Sequence, residues 1–419
     1  LVTLRDNRNT VHMTTEELRL QIKHDRQILL DTPFQLRNLA EMSSGNWIIA
    51  ADRQRGKSYT LAQLIYQRTR QREDRRMHGV EPIVLSLRNE IYRRMTASEL
   101  FAALTFLMTA DKILLCLDDV DMLEGWPQLL TKAAVTAPNI EILVTMSTHS
   151  ARQIAGNTEL REKFNIKDLA DFTLHEYLRV SKLSYNEALN RFIRWGGFPG
   201  VLLSAKRHTE SLERLFRTLF YEELLPRYTV RNETALRMIL HLLTEHLGEE
   251  ISYNGLCRML QETGLKVGVS TVVEYISILG KTRFIRSIEC FSAQTIRTPK
   301  RHYWFVDNGL LSLFIPATQL HEKLLRNIMA HAVLQEYQKH TIYYASQRNA
   351  SVDFYIPERD IAIMLCPNDE LIPNAVQNLQ RFDQKHPTTY KYIYTIGKIS
   401  DSLPRDIFNI FLPEWSSAL

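Results

Sequence analysis

The chain has few cysteines and none at metal-ligand spacing: Cys116, Cys257, Cys290 and Cys366 stand far apart among 419 residues. A disulfide framework and a cysteine-based zinc site are therefore excluded, and reduced thiols in a cytoplasmic protein are the simplest reading. No apolar run is long enough to cross a bilayer and no N-terminal signal pattern is present, so no membrane partner is expected. Internal repeats and low-complexity linkers are missing too. So is a strong charge bias: the net charge of +5 permits contact with nucleic acid without demanding it. What remains is ordinary globular composition, 45% hydrophobic and 24% charged, at a length that suits two or three domains.

The most informative stretch is Trp47 to Ala62. A short apolar strand, Trp47–Ala50, runs into Ala51-Asp52-Arg53-Gln54-Arg55-Gly56-Lys57-Ser58, and Tyr59, Leu61, Leu64 and Ile65 continue as an amphipathic helix. Such a turn cradles phosphates with backbone N–H groups, its lysine reaches the outer phosphates, and its serine hydroxyl ligates Mg²⁺. The pattern G-x-x-x-x-G-K-[ST] is met except at its first position, where Ala51 stands for glycine. Alanine serves there if its φ stays negative; a positive φ would cost about 1–2 kcal/mol. The bland alternative is an exposed turn before a helix.

A second apolar strand, Ile113–Leu117, ends in Asp118-Asp119. Asp118 is placed to hold the Mg²⁺ shell and Asp119 to polarise the attacking water, a position more often filled by glutamate. The alternative is a buried parallel strand with an acidic turn. A third strand, Ile140–Val144, ends Thr145-Met146-Ser147-Thr148, and Thr145 is the first candidate to sense a γ-phosphate or orient water. Ser and Thr are also ordinary strand-end residues. Together these motifs predict binding of ATP or GTP with Mg²⁺ through residues 51–59 and Asp118. Aspartate at 119 is one methylene short, and a shift of about 1 Å at a reacting centre slows chemistry ~100-fold, so slow or partner-dependent hydrolysis is expected.

Residues 14–42 read as a helix, with Thr14 at its N-cap and Leu18, Ile22, Ile28 and Leu29 on its apolar face. Strands alternate with helices over 47–150, Pro82–Leu87 being a further strand, which favours a parallel sheet with helices on both faces. The arginine-rich stretch 68–76 reads as a solvated helix end. Residues 175–245 turn helical. Three helices and two strands then follow over 235–308, in winged-helix order. Val272, Val273, Ile276 and Leu279 would face inward on the third helix, with Ser270, Thr271, Glu274 and Lys281 outward. Arg297, Lys300 and Arg301 would lie on the wing. Such modules bind DNA or serve purely as protein-interaction modules. Helix, three strands, helix and strand over 320–396 is the core order of the PD-(D/E)XK nuclease fold.

The chain resembles a prokaryotic family with an AAA-type phosphate-loop ATPase, a winged-helix segment and a C-terminal domain of unknown function with a restriction-endonuclease-like core. The resemblance rests on Arg53-Gln54 within the phosphate loop, Leu114–Asp119, Thr145–Thr148, Leu169–Tyr177, Gly196-Gly197-Phe198-Pro199, Tyr303–Leu310 and Ser351–Phe354. It implies an α/β fold with domains over 1–175, 176–315 and 316–419, DNA or a DNA-bound protein as partner, and a homo-oligomer. An arginine such as Arg161 or Arg179 would enter the neighbour's site. The nuclease motif departs from the family. Asp353 is present, but Arg326 replaces the helix acid and Met364-Leu365-Cys366 replaces the (D/E)-x-K triplet. One carboxylate beside an arginine does not assemble a Mg²⁺ site, although Asp369, Glu370 or Glu336 are conceivable substitutes. Three functions follow: an ATPase coupled to conformational change, a nucleotide-gated binding module that does not turn over, and a metal-dependent nuclease, the last disfavoured.

Overall fold

A computed structural model describes every residue except 1, 6–9, 14, 32–36, 38, 43, 71–79, 109–111, 137–139, 155, 205–206, 292–299, 317–319, 347–349, 400–402, 412–413 and 415–419. Thr14, Arg297 and most of the arginine-rich stretch lie outside the described residues. The chain divides into two compact units, residues 1–171 and 172–419. Both are α/β, as expected.

In the first unit, β1 (Val2–Arg5) and β2 (Thr10–Met13) form an antiparallel pair that the sequence reading did not anticipate. The main sheet holds β3 (Trp47–Ala50), β4 (Ile83–Ser86), β5 (Ile113–Asp118), β6 (Ile140–Met146) and β7 (Asn165–Asp168), all parallel, in the order β4-β5-β6-β3-β7. Period-two alternation splits each central strand between two cores. Ile48, Ala50, Leu115 and Leu117 join one with the helices Ala97–Thr105 and Trp126–Thr136. Ile49, Ala51, Leu114 and Cys116 join the other with the helix Lys57–Arg70. Because both faces are covered, β5 is buried throughout and reads as a continuous apolar run. β6 lies between β3 and β5, so its end reaches between the phosphate loop and Asp118.

The first helix spans Thr15–Asp31, shorter than expected. Leu18, Ile22 and Leu29 are buried on it, but Ile28 is 57% exposed, so the predicted apolar face is wrong at that position. A polar residue takes part in the packing: Asp25 is buried and accepts a hydrogen bond from Ser86 N–H on the sheet's edge strand (3.1 Å).

The second unit opens with helices, among them Tyr185–Trp195 and His208–Arg217, the latter running into a π-helical turn over Thr218–Leu224. Helices Glu233–Glu245, Tyr253–Glu262 and Val269–Lys281 precede the antiparallel strands β8 (Ile285–Cys290) and β9 (Arg301–Phe305). Ile251 bridges antiparallel to Arg301. On the third of these helices Val273 is 39% exposed, contrary to expectation, and Tyr275 and Ile278 fill the buried face with Val272, Ile276 and Leu279. β8 also pairs in parallel with β10 (Tyr343–Ala345). The sheet continues through β11 (Val352–Ile356), β12 (Ile361–Cys366), β13 (Tyr390–Thr395) and β14 (Ile407–Ile410) as one seven-stranded mixed sheet, order β14-β13-β12-β11-β10-β8-β9. The stretches read as a wing and as a nuclease-like core therefore share a sheet. Among the described residues no helix is long and apolar enough to cross a membrane.

A buried polar network accounts for two of the segments on which the family resemblance rests, Gly196–Pro199 and Tyr303–Leu310. Asp307 accepts from Gly197 N–H (2.7 Å) and, as N-cap of Asn308–Ser312, from Leu310 N–H (3.0 Å). Asn308 donates to the carbonyls of Ile193 (2.8 Å) and Leu324 (2.9 Å). Asn327 donates to Asn308 Oδ1 (2.9 Å) and Phe305 O (3.0 Å) and accepts from Phe305 N–H (3.0 Å). Gly196 has φ +75°, and a Cβ there would stand 2.1 Å from Asp307 Oδ2, so only glycine fits. Replacing Asp307 by alanine strands two buried N–H groups. At about 1–3 kcal/mol each, a loss of roughly 2–6 kcal/mol is expected for the second unit. Chemical denaturation should show its midpoint lowered, with Asp307→Asn less affected.

Candidate functional site

The loop after β3 turns by left-handed backbone at Gln54 (φ 61°) and Gly56 (φ 85°), while Ala51 is not among the described non-glycine residues with positive φ. Alanine therefore replaces glycine without strain, and its N–H donates to Met146 O (3.1 Å). The left-handed cost falls instead on Gln54, at roughly 1–2 kcal/mol.

Gly56 opens the helix that presents Lys57 and Ser58. Lys57 is buried, and its Nζ donates to Ala51 O (2.9 Å) and Asp52 O (3.4 Å). It also stands 3.5 Å from Asp119 Oδ1. Ser58 Oγ donates to Asp118 Oδ2 (2.8 Å). Thr145 Oγ1 donates to Asp118 Oδ1 (2.6 Å) and accepts from Asp119 N–H (2.7 Å). Both oxygens of Asp118 are thus engaged, one from the helix after β3 and one from the end of β6. Asp119 turns off the sheet in left-handed backbone (φ 50°) that aspartate tolerates, which aims its carboxylate back across the loop. Arg88, just beyond β4, donates to its Oδ2.

The sequence-derived site residues do not all behave alike. Lys57, Ser58, Asp118, Asp119 and Thr145 converge. Arg55 is buried and turns its guanidinium to Asp171 (2.7 Å), with Asp52 at 3.6 Å. Gln54 and Tyr59 are exposed, and Arg53 is half-buried. Asp369 and Glu370 lie exposed in a 3₁₀ turn of the second unit. Glu336 accepts from the Tyr394 hydroxyl (3.1 Å). Asp353 is held by Arg326 (3.0 Å) and by Leu365 N–H (2.8 Å). Among the described residues no group of three or more His, Cys, Asp or Glu is arranged to hold a metal.

Sequence reading missed the residues that brace the site. Arg37 donates to Arg55 O (3.0 Å) and Ala170 O (3.0 Å), and Gln63 bonds the Arg37 backbone in both directions. Asp121 accepts from Ser147 N–H (3.0 Å) and Ser150 Oγ (2.7 Å), fixing the turn after β6 and with it Thr145. Arg88 was missed as well. None lies in a recognisable motif; only Asp121, two residues past Asp119, had a positional clue.

Burial, then the neighbouring Asp119 charge, raise the Asp118 carboxyl above the ordinary carboxylate range, against the hydrogen bonds from Thr145 and Ser58 and the charge of Arg88. The donor set still fits a magnesium-bound triphosphate. A hydroxyl and a carboxylate in contact are the protein's usual share of a Mg²⁺ shell completed by phosphates and water, and the lysine ammonium lies beside them.

Residues 46–178 match the family described as AAA domain. Residues 186–321 match a domain of unknown function, DUF8612. The chain is 22% identical over 255 residues to the uncharacterized protein MJ1544 of Methanocaldococcus jannaschii, covering 57% of each. It therefore spans little more than half the length of that relative. Among solved structures, the Walker-type ATPase PABY2304 of Pyrococcus abyssi is 16% identical, with a TM-score of 0.43, over 68% of this chain and 99% of that one. The Aeropyrum pernix ORC1 protein, solved in complex with DNA, is 13% identical, with a TM-score of 0.36, over 74% of this chain and 98% of that one. The AAA match and the five-stranded parallel sheet together identify an AAA-type phosphate-loop ATPase fold in this part of the chain.

Because the Asp118 carboxyl is raised in the folded, ligand-free protein, that state binds more protons than the unfolded chain between the ordinary carboxylate pKa of about 3.9 and the raised value. Its contribution to stability therefore falls as pH rises through that window and is constant above it. The stability difference between wild type and Asp118→Asn, read from denaturation midpoints across acidic pH, should follow that course.

Proposed function

We propose that the first unit is an ATPase that binds Mg-ATP at the Lys57–Ser58–Asp118 cluster and hydrolyses it slowly, coupling turnover to conformational change. The single observation that carries this reading is the convergence of the helix after β3 and the end of β6 on one buried carboxylate at the end of β5. Ser58 bonds Asp118 at 2.8 Å and Thr145 bonds it at 2.6 Å, with Lys57 alongside.

The roles follow from the geometry. Backbone N–H groups of residues 52–58 and the Lys57 ammonium bind the phosphates, Lys57 giving up its bonds to the Ala51 and Asp52 carbonyls to do so. Ser58 Oγ and Asp118 hold Mg²⁺, which neutralises charge on the phosphate oxygens. Asp119 is the group that accepts the proton from, or orients, the attacking water. Thr145 is a positioning residue: its hydroxyl proton is committed to Asp118 and its oxygen to Asp119 N–H, so it fixes the carboxylate pair relative to the loop. Arg88 and Lys57 both neutralise Asp119 in the ligand-free arrangement. Lys57 leaves when it binds phosphate; Arg88 must also swing aside before Asp119 can serve water. Slow basal turnover follows from that second requirement and from the short aspartate side chain.

The second unit is proposed to engage DNA or a DNA-bound protein. Support comes from the three helices and strand pair over 233–305, with Ser270, Glu274, Lys281 and Lys300 exposed. A cleaving role for its C-terminal part is disfavoured, because Asp353 is occupied by Arg326 and a backbone N–H. Assembly as a cytoplasmic homo-oligomer is part of the same proposal, with exposed Arg161 or Arg179 as the residue offered to a neighbour.

Lys57→Ala should abolish ATP binding measured by calorimetry. Asp119→Asn should keep affinity within a few-fold and lower steady-state phosphate release at least ~100-fold, in line with displacement of a reacting group. Arg88→Ala should raise basal release; a fall would make Arg88 an orienting residue rather than a restraint. Phosphate release from wild type that persists undiminished in Lys57→Ala would overturn the assignment. DNA affinity, measured by fluorescence anisotropy, should drop steeply between low and physiological salt as counterions are released. Salt-independent binding, or none, would remove DNA as the partner.

A further inference from the structure

Far from the nucleotide cluster, where β4 and β5 begin, the first unit carries a groove of about 660 Å³. Its floor is apolar: Ile22 and Ile113 are buried, and Ile83 is half-buried. Its rim is cationic. Arg19, Lys23 and Arg26 line it from the helix Thr15–Asp31, and Lys112 lines it from just before β5. The acid lining the groove, Glu81, is bonded to Arg26. Arg19 keeps only a long contact with Glu16 (3.9 Å), and among the described residues neither Lys23 nor Lys112 pairs with an acid.

We propose that this groove docks an acidic amphipathic helix of a partner protein. Three features select that occupant. Arg19, Lys23 and Arg26 repeat at i, i+4 and i+7, so they share one face of their helix and span about 10 Å. A partner helix laid alongside presents carboxylates at the same three- and four-residue intervals. A helix satisfies its own backbone hydrogen bonds, so its apolar edge rests on Ile22, Ile83 and Ile113 with no stranded N–H or C=O group. An extended peptide would need the free edge of β4, and there Asp25 already accepts Ser86 N–H. A nucleic-acid backbone suits the cations but gains nothing from the apolar floor. The inference is independent of the nucleotide reading, since β4 and β5 separate the groove from Arg88 and Asp118 by the length of a strand.

The test is selection of a displayed library of 14-residue helical peptides, semi-randomised between Asp or Glu and Leu, Ile or Phe, against the full chain. Enriched peptides should carry acids three or four residues apart beside an apolar stripe. By fluorescence anisotropy they should bind at least tenfold more weakly to Arg19→Glu/Lys23→Glu, and more weakly to Lys112→Glu, before β5. The circular-dichroism spectrum and the thermal unfolding midpoint should be unchanged in both variants, which separates a local loss from unfolding. Failure of any such peptide to enrich would overturn the proposal, as would equal binding to wild type and variants or equal binding of scrambled sequences. Displacement by a single-stranded oligonucleotide of matched charge would make the groove a nucleic-acid surface instead and would equally overturn it.

Discussion

The first unit depends on one buried carboxylate. Asp118 ends the fully buried β5, where a charge is costly unless hydrogen-bonded. Its partners come from the helix after β3 and from the end of β6, so satisfying the carboxylate also sets the register of three strand ends. Asp118 and Thr145 stand at two of those ends, and Ser58 lies in the first turn of the helix that follows the third. The interaction that makes the fold tolerable is thus the one that assembles the proposed nucleotide site, and the Asp118 carboxyl stays raised despite it. Mg²⁺ in contact with that carboxylate would relieve it, which ties ligand binding to stability of this unit.

Asp119 sits under a different constraint. Its left-handed backbone sends the carboxylate toward Lys57 and Arg88, two cations with different attachments. Lys57 is buried and belongs to the loop. Arg88 is exposed over more than half its side chain and hangs from the end of β4. An exposed arginine is released at little cost, since solvent screens the pair. The ligand-free arrangement is therefore neutralised without being rigid, which suits the proposed role of Asp119 as a base released by a change around β4.

Much of this site was legible in the sequence because motif spacing and strand ends are local properties. Gly-Lys-Ser after Trp47–Ala50, and Asp118-Asp119 after five apolar residues, each require only a strand and a turn. The braces were not legible. Arg37, Gln63 and Asp121 act across the fold, largely through backbone atoms whose proximity exists only after the chain has closed. The edge strand β7 escaped notice because Asn165–Asp168 is largely exposed and shows no apolar alternation. Ile28 and Val273 misled in the opposite direction, each apolar at a helical spacing that faces solvent. Pattern reading assumes that every large apolar residue is buried, and folded surfaces do not obey that rule.

The motifs of the second unit carry a different lesson. Gly196-Gly197, Asp307-Asn308 and Asn327 invite a search for catalysis, since buried aspartate and asparagine with glycine often mark active sites. Here their donors and acceptors are spent on one another and on backbone groups of the helices and strand they join. Asp307 closes the turn after Trp195, caps the next short helix and excludes any side chain at Gly196. Motif strength in this unit therefore follows from a packing demand, namely several irregular backbone segments buried together that need internal partners. A substrate or partner of this unit is better sought on its exposed helix and strand surfaces than at its most recognisable residues.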